Sequence, residues 1–290
     1  MSKRIRIGTY NNKLALSQAE AVANLIKPSG YTTEIIPVDT NTKDLNALES
    51  AIFKGTIDVI AFNASYIPAS LNEALEVIAF TEREIVNDVL VSRKKITLST
   101  LGIRVGTNSP CRIAFLRHFY PGMSIISVPE SLSDRIKRME AGEYALLINQ
   151  TDAKRMGVED LIVDKIETSY FVPAVGQGSI AVVCHKKLSY EIKEIIQRWV
   201  NHEETEDCIR TERSFLKTFQ GSQNVPAFGY AHFEGNLITL KAGLISLNGK
   251  KVIKAKRSST IAECKEMGKK VAQEVLQNGG SEILRAVEAS

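Results

Sequence analysis

Ile5-Arg6-Ile7-Gly8-Thr9 sets a charged residue between two β-branched ones and then breaks on glycine, which reads as a short strand running into a turn. Directly behind it Leu14, Leu16, Ala19, Val22, Ala23 and Ile26 recur at helical spacing. Gly30 ends that helix, and Thr33-Glu34-Ile35-Ile36-Pro37-Val38 returns as a strand. Strand, helix and strand in this order form a βαβ unit. Ile57-Asp58-Val59-Ile60-Ala61-Phe62 follows as an almost continuous apolar run, the pattern of a strand covered on both faces.

A second α/β series begins near Asp88. Val89-Leu90-Val91-Ser92 and Ile103-Arg104-Val105-Gly106-Thr107 read as strands, the latter leading into a helix from Cys111 to Phe119. Ser124-Ile125-Ile126-Ser127-Val128 is a strand, Leu132 to Ala141 a helix, and Ala145-Leu146-Leu147-Ile148 another buried strand. Pro173-Ala174-Val175-Gly176-Gln177-Gly178 is a connector, and Ser179 to Cys184 is a strand expected to cross back to the first lobe. Beyond Asn201 the character changes. A helix from Thr205 to Phe219 precedes strands at Tyr230–Phe233, Leu237–Leu247 and Lys251–Lys256, and a last helix from Thr260 to Gln277 is stopped by Gly279-Gly280. The fold class is therefore α/β: two lobes around a cleft plus a C-terminal α+β domain. The expected boundaries are 1–82 with 180–198 for the first lobe, 87–174 for the second, and 202–290 for the C-terminal domain.

Composition narrows the function. A net charge of +4 is too mild for a nucleic-acid surface and suits small anions better. The basic stretch Lys250 to Arg257 alternates with apolar residues, as on the solvated face of an edge strand. No apolar run approaches a membrane span, and Met1-Ser2-Lys3-Arg4 lacks the apolar region of a signal peptide, so a cytoplasmic location is expected. Cys111, Cys184, Cys208 and Cys264 are scattered, with no pairing that suggests a metal. The expected partner is a small molecule, with no nucleic acid, no membrane and a monomeric chain.

Several motifs, in order along nearly the whole chain, resemble the porphobilinogen deaminase (hydroxymethylbilane synthase) family. They are Ile5 to Thr9 with Leu14-Ala15-Leu16-Ser17-Gln18-Ala19, Asp58 to Pro68, Val105-Gly106-Thr107-Asn108-Ser109, and Lys154-Arg155-Met156-Gly157. Pro173-Ala174-Val175-Gly176-Gln177-Gly178, Thr211-Glu212-Arg213 and Met267-Gly268 continue the match. The resemblance implies two lobes like those of periplasmic binding proteins and a third domain that presents a covalent dipyrromethane cofactor. It also implies condensation of four porphobilinogens with release of ammonia.

Against that pattern the chain departs at the chemistry. The family's cofactor cysteine, in Gly221-Ser222-Gln223-Asn224-Val225-Pro226, is replaced by Gln223, whose carboxamide has no sulfur; no covalent attachment and no cofactor are expected. The family's catalytic aspartate position holds Tyr66, a phenol uncharged at neutral pH and expected to be inactive. Among the anion-binding positions, Tyr10 stands for arginine, Ser65 for lysine, Cys111 and Pro129 each for arginine, and Phe62 for histidine. Asn12, Thr107, Asn108, Ser109, Arg112, Arg135, Arg155 and Gln177 remain as ligand-binding candidates, with Tyr10 and Ser65 lining the same site. Asp39 to Asp44 runs straight toward the helix near Leu48, without the family's longer lid.

These substitutions leave three readings. The chain is a catalytically degenerate family member that binds a small anionic or pyrrole-type ligand in the cleft, an active synthase by an unusual route, or a different enzyme using Tyr66 and Cys111.

Overall fold

The computed structural model describes residues 4–39, 45–219 and 226–288. Gln223 and most of the shortened lid segment, 40–44, lie outside them. The chain forms two compact units, Met1–Glu84 with Gly176–Glu206 and Ile85–Val175 with Asp207–Ser290. No helix among the described residues is long and apolar enough to cross a membrane.

The first unit is built on β1 (Arg4–Tyr10), β2 (Thr32–Val38), β3 (Val59–Asn63), β4 (Leu75–Phe80) and β10 (Ile180–His185). The strand order is β2-β1-β3-β10-β4. β1 runs parallel to β2 and β3, whereas β10 is antiparallel to β3 and β4. The late strand thus returns to the first sheet, as its apolar run suggests. α1 (Lys13–Ile26) starts on Asn12, whose side chain accepts from the Ala15 amide at 3.0 Å. Its apolar stripe, Ala19, Val22 and Ile26, packs on Ile5, Ile7, Val59 and Val182 in one core. α2 (Leu45–Phe53) buries Leu48 and Ile52, and α6 (Tyr190–Val200) adds Ile196 and Val200.

The second unit holds two sheets. In the first, β5 (Asp88–Val91), β6 (Arg104–Thr107), β7 (Ser124–Ser127), β8 (Ala145–Asn149) and β9 (Ile162–Lys165) have the order β7-β6-β8-β5-β9. β6 is parallel to β7 and β8, and β5 is antiparallel to β8 and β9, so the pattern of the first unit is repeated. α3 (Pro110–Phe119), α4 (Leu132–Glu140) and α5 (Gln150–Met156) follow β6, β7 and β8 in turn. Each begins on a side-chain cap, Ser109, Ser131 and Asn149 respectively.

The remaining part comprises α7 (Glu203–Lys217), a three-stranded antiparallel sheet of β11 (Ala227–Glu234), β12 (Leu237–Ile245) and β13 (Val252–Ser259), and helices α8 (Cys264–Val275) and α9 (Ser281–Glu288). β13 is an edge strand that exposes Lys254, Lys256 and Arg257, the arrangement its alternation implies. Phe228 of β11 packs at 5.1 Å from Phe115 of α3, which stacks at 5.1 Å on Phe171. Phe228 and Ile245 therefore belong to the core of the neighbouring α/β sheet, which makes the two sheets one unit. The glycine pair near the C-terminus does not end the helical run. Gly279 takes a left-handed φ of 104°, kinks the chain, and α9 continues beyond it.

Candidate functional site

In the first unit the candidate residues gather at the C-terminal ends of β1 and β3, which are parallel neighbours, where α/β sheets place ligands. Tyr10 closes β1, and Asn12 is committed to capping α1. After β3 the chain makes a single 3-10 turn, Ala64–Tyr66, capped by Asn63. The Ser65 hydroxyl donates to Asn63 Oδ1 at 2.7 Å and the Ser65 amide to the same oxygen at 2.9 Å, so this side chain serves the turn. Tyr66 projects outward with about half its surface exposed (52%). Phe62 is fully buried and lines the core instead of the site.

Gln177 reaches this turn through its backbone. Gly176 has a φ of 77°, and a Cβ there would stand 2.8 Å from both the carbonyl carbon and the oxygen of Ala64. Only glycine allows that approach. Gln177 is buried, and its backbone carbonyl accepts from Arg83 Nε at 2.9 Å. The motif thus locks the connector against the turn that carries Tyr66.

The second unit holds the anion-binding candidates. Thr107 ends β6 and is fully buried. Its hydroxyl oxygen accepts weakly from the Ser109 amide at 3.5 Å, and the Ser109 hydroxyl accepts from the Arg112 amide at 3.4 Å. Asn108 Oδ1 accepts from the Arg135 guanidinium at 3.0 Å, joining the loop to α4. Arg135 is 95% covered, being only 5% exposed, which is unusual for an arginine and marks a built position. Arg112 forks onto Asp88, with Nε and Nη2 donating to its two oxygens at 3.0 and 2.8 Å. That bidentate pair is nearly buried, so geometry holds the guanidinium rigidly. Arg155 lies in the last turn of α5, half-buried.

Two acids in this group are not legible as site residues from sequence. Asp88 reads only as the start of a strand. Asp152, one turn into α5, is 7% exposed, and its Oδ2 accepts from Asn149 Nδ2 at 2.7 Å. Burial pushes its carboxyl above the ordinary carboxylate range, against the opposing pull of Arg112, Arg155 and Arg135. The sequence signal is a lone acid two residues before Lys154-Arg155, which ordinarily marks a solvated helix face.

Cys111 lies at the start of α3, partly buried. Its sulfur donates to the Ala227 carbonyl at 3.4 Å, and burial pushes the thiol up to about 12. A raised thiol value disfavours the thiolate that a nucleophilic role for this residue would use. Thr211-Glu212-Arg213 serves the fold: Glu212 is fully buried and accepts from the Ala231 amide at 2.7 Å, which fixes β11 on α7.

Two α/β sheets of repeated topology and a three-stranded antiparallel sheet, with guanidinium and hydroxyl groups gathered around one strand-end loop, define the class of fold. Residues 5–193 match the family model described as porphobilinogen deaminase, dipyromethane cofactor binding domain, and residues 207–277 match porphobilinogen deaminase, C-terminal domain. The porphobilinogen deaminase of Desulfosudis oleivorans is 36% identical, covering 98% of this chain and 97% of its own. That of Cytophaga hutchinsonii is 35% identical, covering 99% and 98%. The chain belongs to the porphobilinogen deaminase family. Among solved structures, the methionine binding protein MetQ aligns with a TM-score of 0.48 at 15% identity, covering 71% of this chain and 94% of that one.

These matches correct one expectation drawn from Gln223, that of no cofactor. The family model spanning residues 5–193 is a dipyrromethane cofactor binding domain, so the family uses that group. The described residues fit its carboxylates in kind. Arg135 and Asn108 supply donors at the loop, and Thr107 and Ser109 supply hydroxyls.

Proposed function

We propose that this chain is a divergent, cytoplasmic porphobilinogen deaminase family protein that binds pyrrole-type polycarboxylates, dipyrromethane included, at the Thr107–Ser109 loop and its arginines. It condenses porphobilinogen far below an ordinary enzyme rate. One observation carries the second half of this reading: the turn that presents Tyr66 contains no carboxylate between Phe62 and Pro68. Loss of ammonia from an aminomethylpyrrole leaves a cationic pyrrole, and an ionised acid aimed at the developing charge is the largest single aid to such a step. A phenol ring has no carboxylate to aim at that charge and offers at most a cation–π contact of about 1–2 kcal/mol.

The binding half rests on Arg135, held to Asn108 at 3.0 Å, and on the buried hydroxyl of Thr107. Bound dipyrromethane would supply an electron-rich pyrrole end. Residues of this chain would hold its carboxylates through Arg135, Asn108 and Ser109.

Purified protein mixed with porphobilinogen tests both halves. The expected result is a ligand-dependent rise in melting temperature, worth about 2.7 kcal/mol at a hundredfold excess over Kd, with little pyrrole consumed. Tyr66→Asp alone is expected to leave consumption low, because Tyr10 and Ser65 also stand where the resemblance implies cations. Consumption by the unaltered protein near the median enzyme rate of about 10 per second overturns the degenerate reading in favour of an active synthase.

A further inference from the structure

Arg112 of α3 forks onto Asp88, Asp88 is the strand partner of Asn149, and Asn149 holds the buried carboxylate of Asp152. Arg155 stands one turn beyond Asp152 on α5, and the charges of Arg112 and Arg155, with that of Arg135 on α4, favour its ionised form. One carboxylate oxygen of Asp152 is held by Asn149 at 2.7 Å. The other, Oδ1, is buried and has no hydrogen-bond partner among the described residues. A buried carboxylate oxygen without a donor costs free energy unless something offsets it. The positive charges of Arg112, Arg155 and Arg135 offset part of that cost electrostatically.

β5 contributes Asp88, already forked onto Arg112. β8 contributes no charged group, and the turn Glu159–Leu161 beside α5 contributes Glu159 and Asp160, both exposed to water. On α5 itself Lys154 is exposed and Arg155 half-buried.

We propose that Asp152 is an internal counter-ion that stands in for a ligand carboxylate at the Arg112, Arg135 and Arg155 cluster, so that an external carboxylate binds there only as Asp152 takes up a proton. The inference deepens the binding reading given above and rests on it. The chemistry balances simply: one carboxylate enters, one proton joins Asp152, and the charge facing the arginines is unchanged. Asp152 is thereby a gate on affinity, placed outside the reaction itself. Burial already lifts its carboxyl above the ordinary range, which brings the exchange toward accessible pH.

Calorimetric titration of porphobilinogen into the whole protein, and into Asp152→Asn, tests this at about pH 6 and pH 8 in two buffers of different ionisation heat. The acids and amine of the probe keep their charge across that range. The unaltered protein should bind with proton uptake and lose affinity as pH rises, by at most about tenfold per pH unit. Asp152→Asn should bind without proton uptake, with a flat pH dependence, and more tightly than the unaltered protein at the higher pH. Equal affinity and equal pH slope for the two proteins overturn the inference.

If porphobilinogen binds to neither, the binding reading falls, and the carboxyl itself decides the counter-ion role. Its carbon-13 titration in the unliganded chain should move to higher pH in Arg155→Gln. A titration unmoved by that change overturns the counter-ion role, and a clear upward displacement supports it.

Discussion

Arg112 gives Nε and a terminal nitrogen to the two oxygens of Asp88, a planar fork that fixes both side chains. Removing one partner of such a nearly buried pair strands the other charge. Asp88→Ala should therefore lower the unfolding free energy by about 3–5 kcal/mol, measured in urea at pH 7. A loss below about 1 kcal/mol would place the pair among surface bridges of little consequence. Asp152 predicts the opposite sign at neutral pH. Its carboxyl is raised in the folded chain, chiefly by burial. The stability it contributes is fully present below its unfolded value near 4 and is lost as pH rises through the folded value. Asp152→Asn stays neutral throughout, so its melting temperature should gain on that of the unaltered chain as pH rises from about 4. Parallel melting curves across that range would remove the raised carboxyl from the account.

At the scale of elements, the connector before β10 is held by a backbone contact that only glycine permits. Gly176 sits at a φ of 77° and would thrust a Cβ to within 2.8 Å of the Ala64 carbonyl. Gly176→Ala should cost about 1–3 kcal/mol in thermal or urea unfolding, and its mechanism is the displaced turn at Ser65 and Tyr66. Most of this architecture is legible in the sequence where a strand is a continuous apolar run or a helix has a long stripe. β3, β8 and β10 are of the first kind and α1 of the second, so their places follow from periodicity. α5 is not legible in that way: seven residues, Gln-Thr-Asp-Ala-Lys-Arg-Met, hold too few apolar positions for a helical period. β4 and β9 are hidden because each mixes charged and apolar residues without clean alternation. The candidate site divides likewise. Its arginines follow from the resemblance, since motif order carries them. Asp88 and Asp152 matter only through burial and through contacts among α3, α4, α5 and β5, which no local pattern encodes.

For the whole molecule, the aromatic cluster decides how many cooperative pieces the chain has. Phe115 touches Phe119, Phe171 and Phe228, and so ties the α/β sheet of the second unit to the three-stranded sheet. Phe115→Ala should cost about 3–5 kcal/mol and speed amide exchange in β6 and β11 together. Faster exchange in β6 alone would mean that the two sheets open separately. The cysteines carry a different consequence. Cys184, Cys208 and Cys264 are buried, and burial pushes the Cys111 thiol up to about 12, away from its thiolate form. Oxidants act on exposed thiolates, so a folded copy of this chain offers them almost nothing. Oxidation of its cysteines is therefore a record of how often the fold has opened.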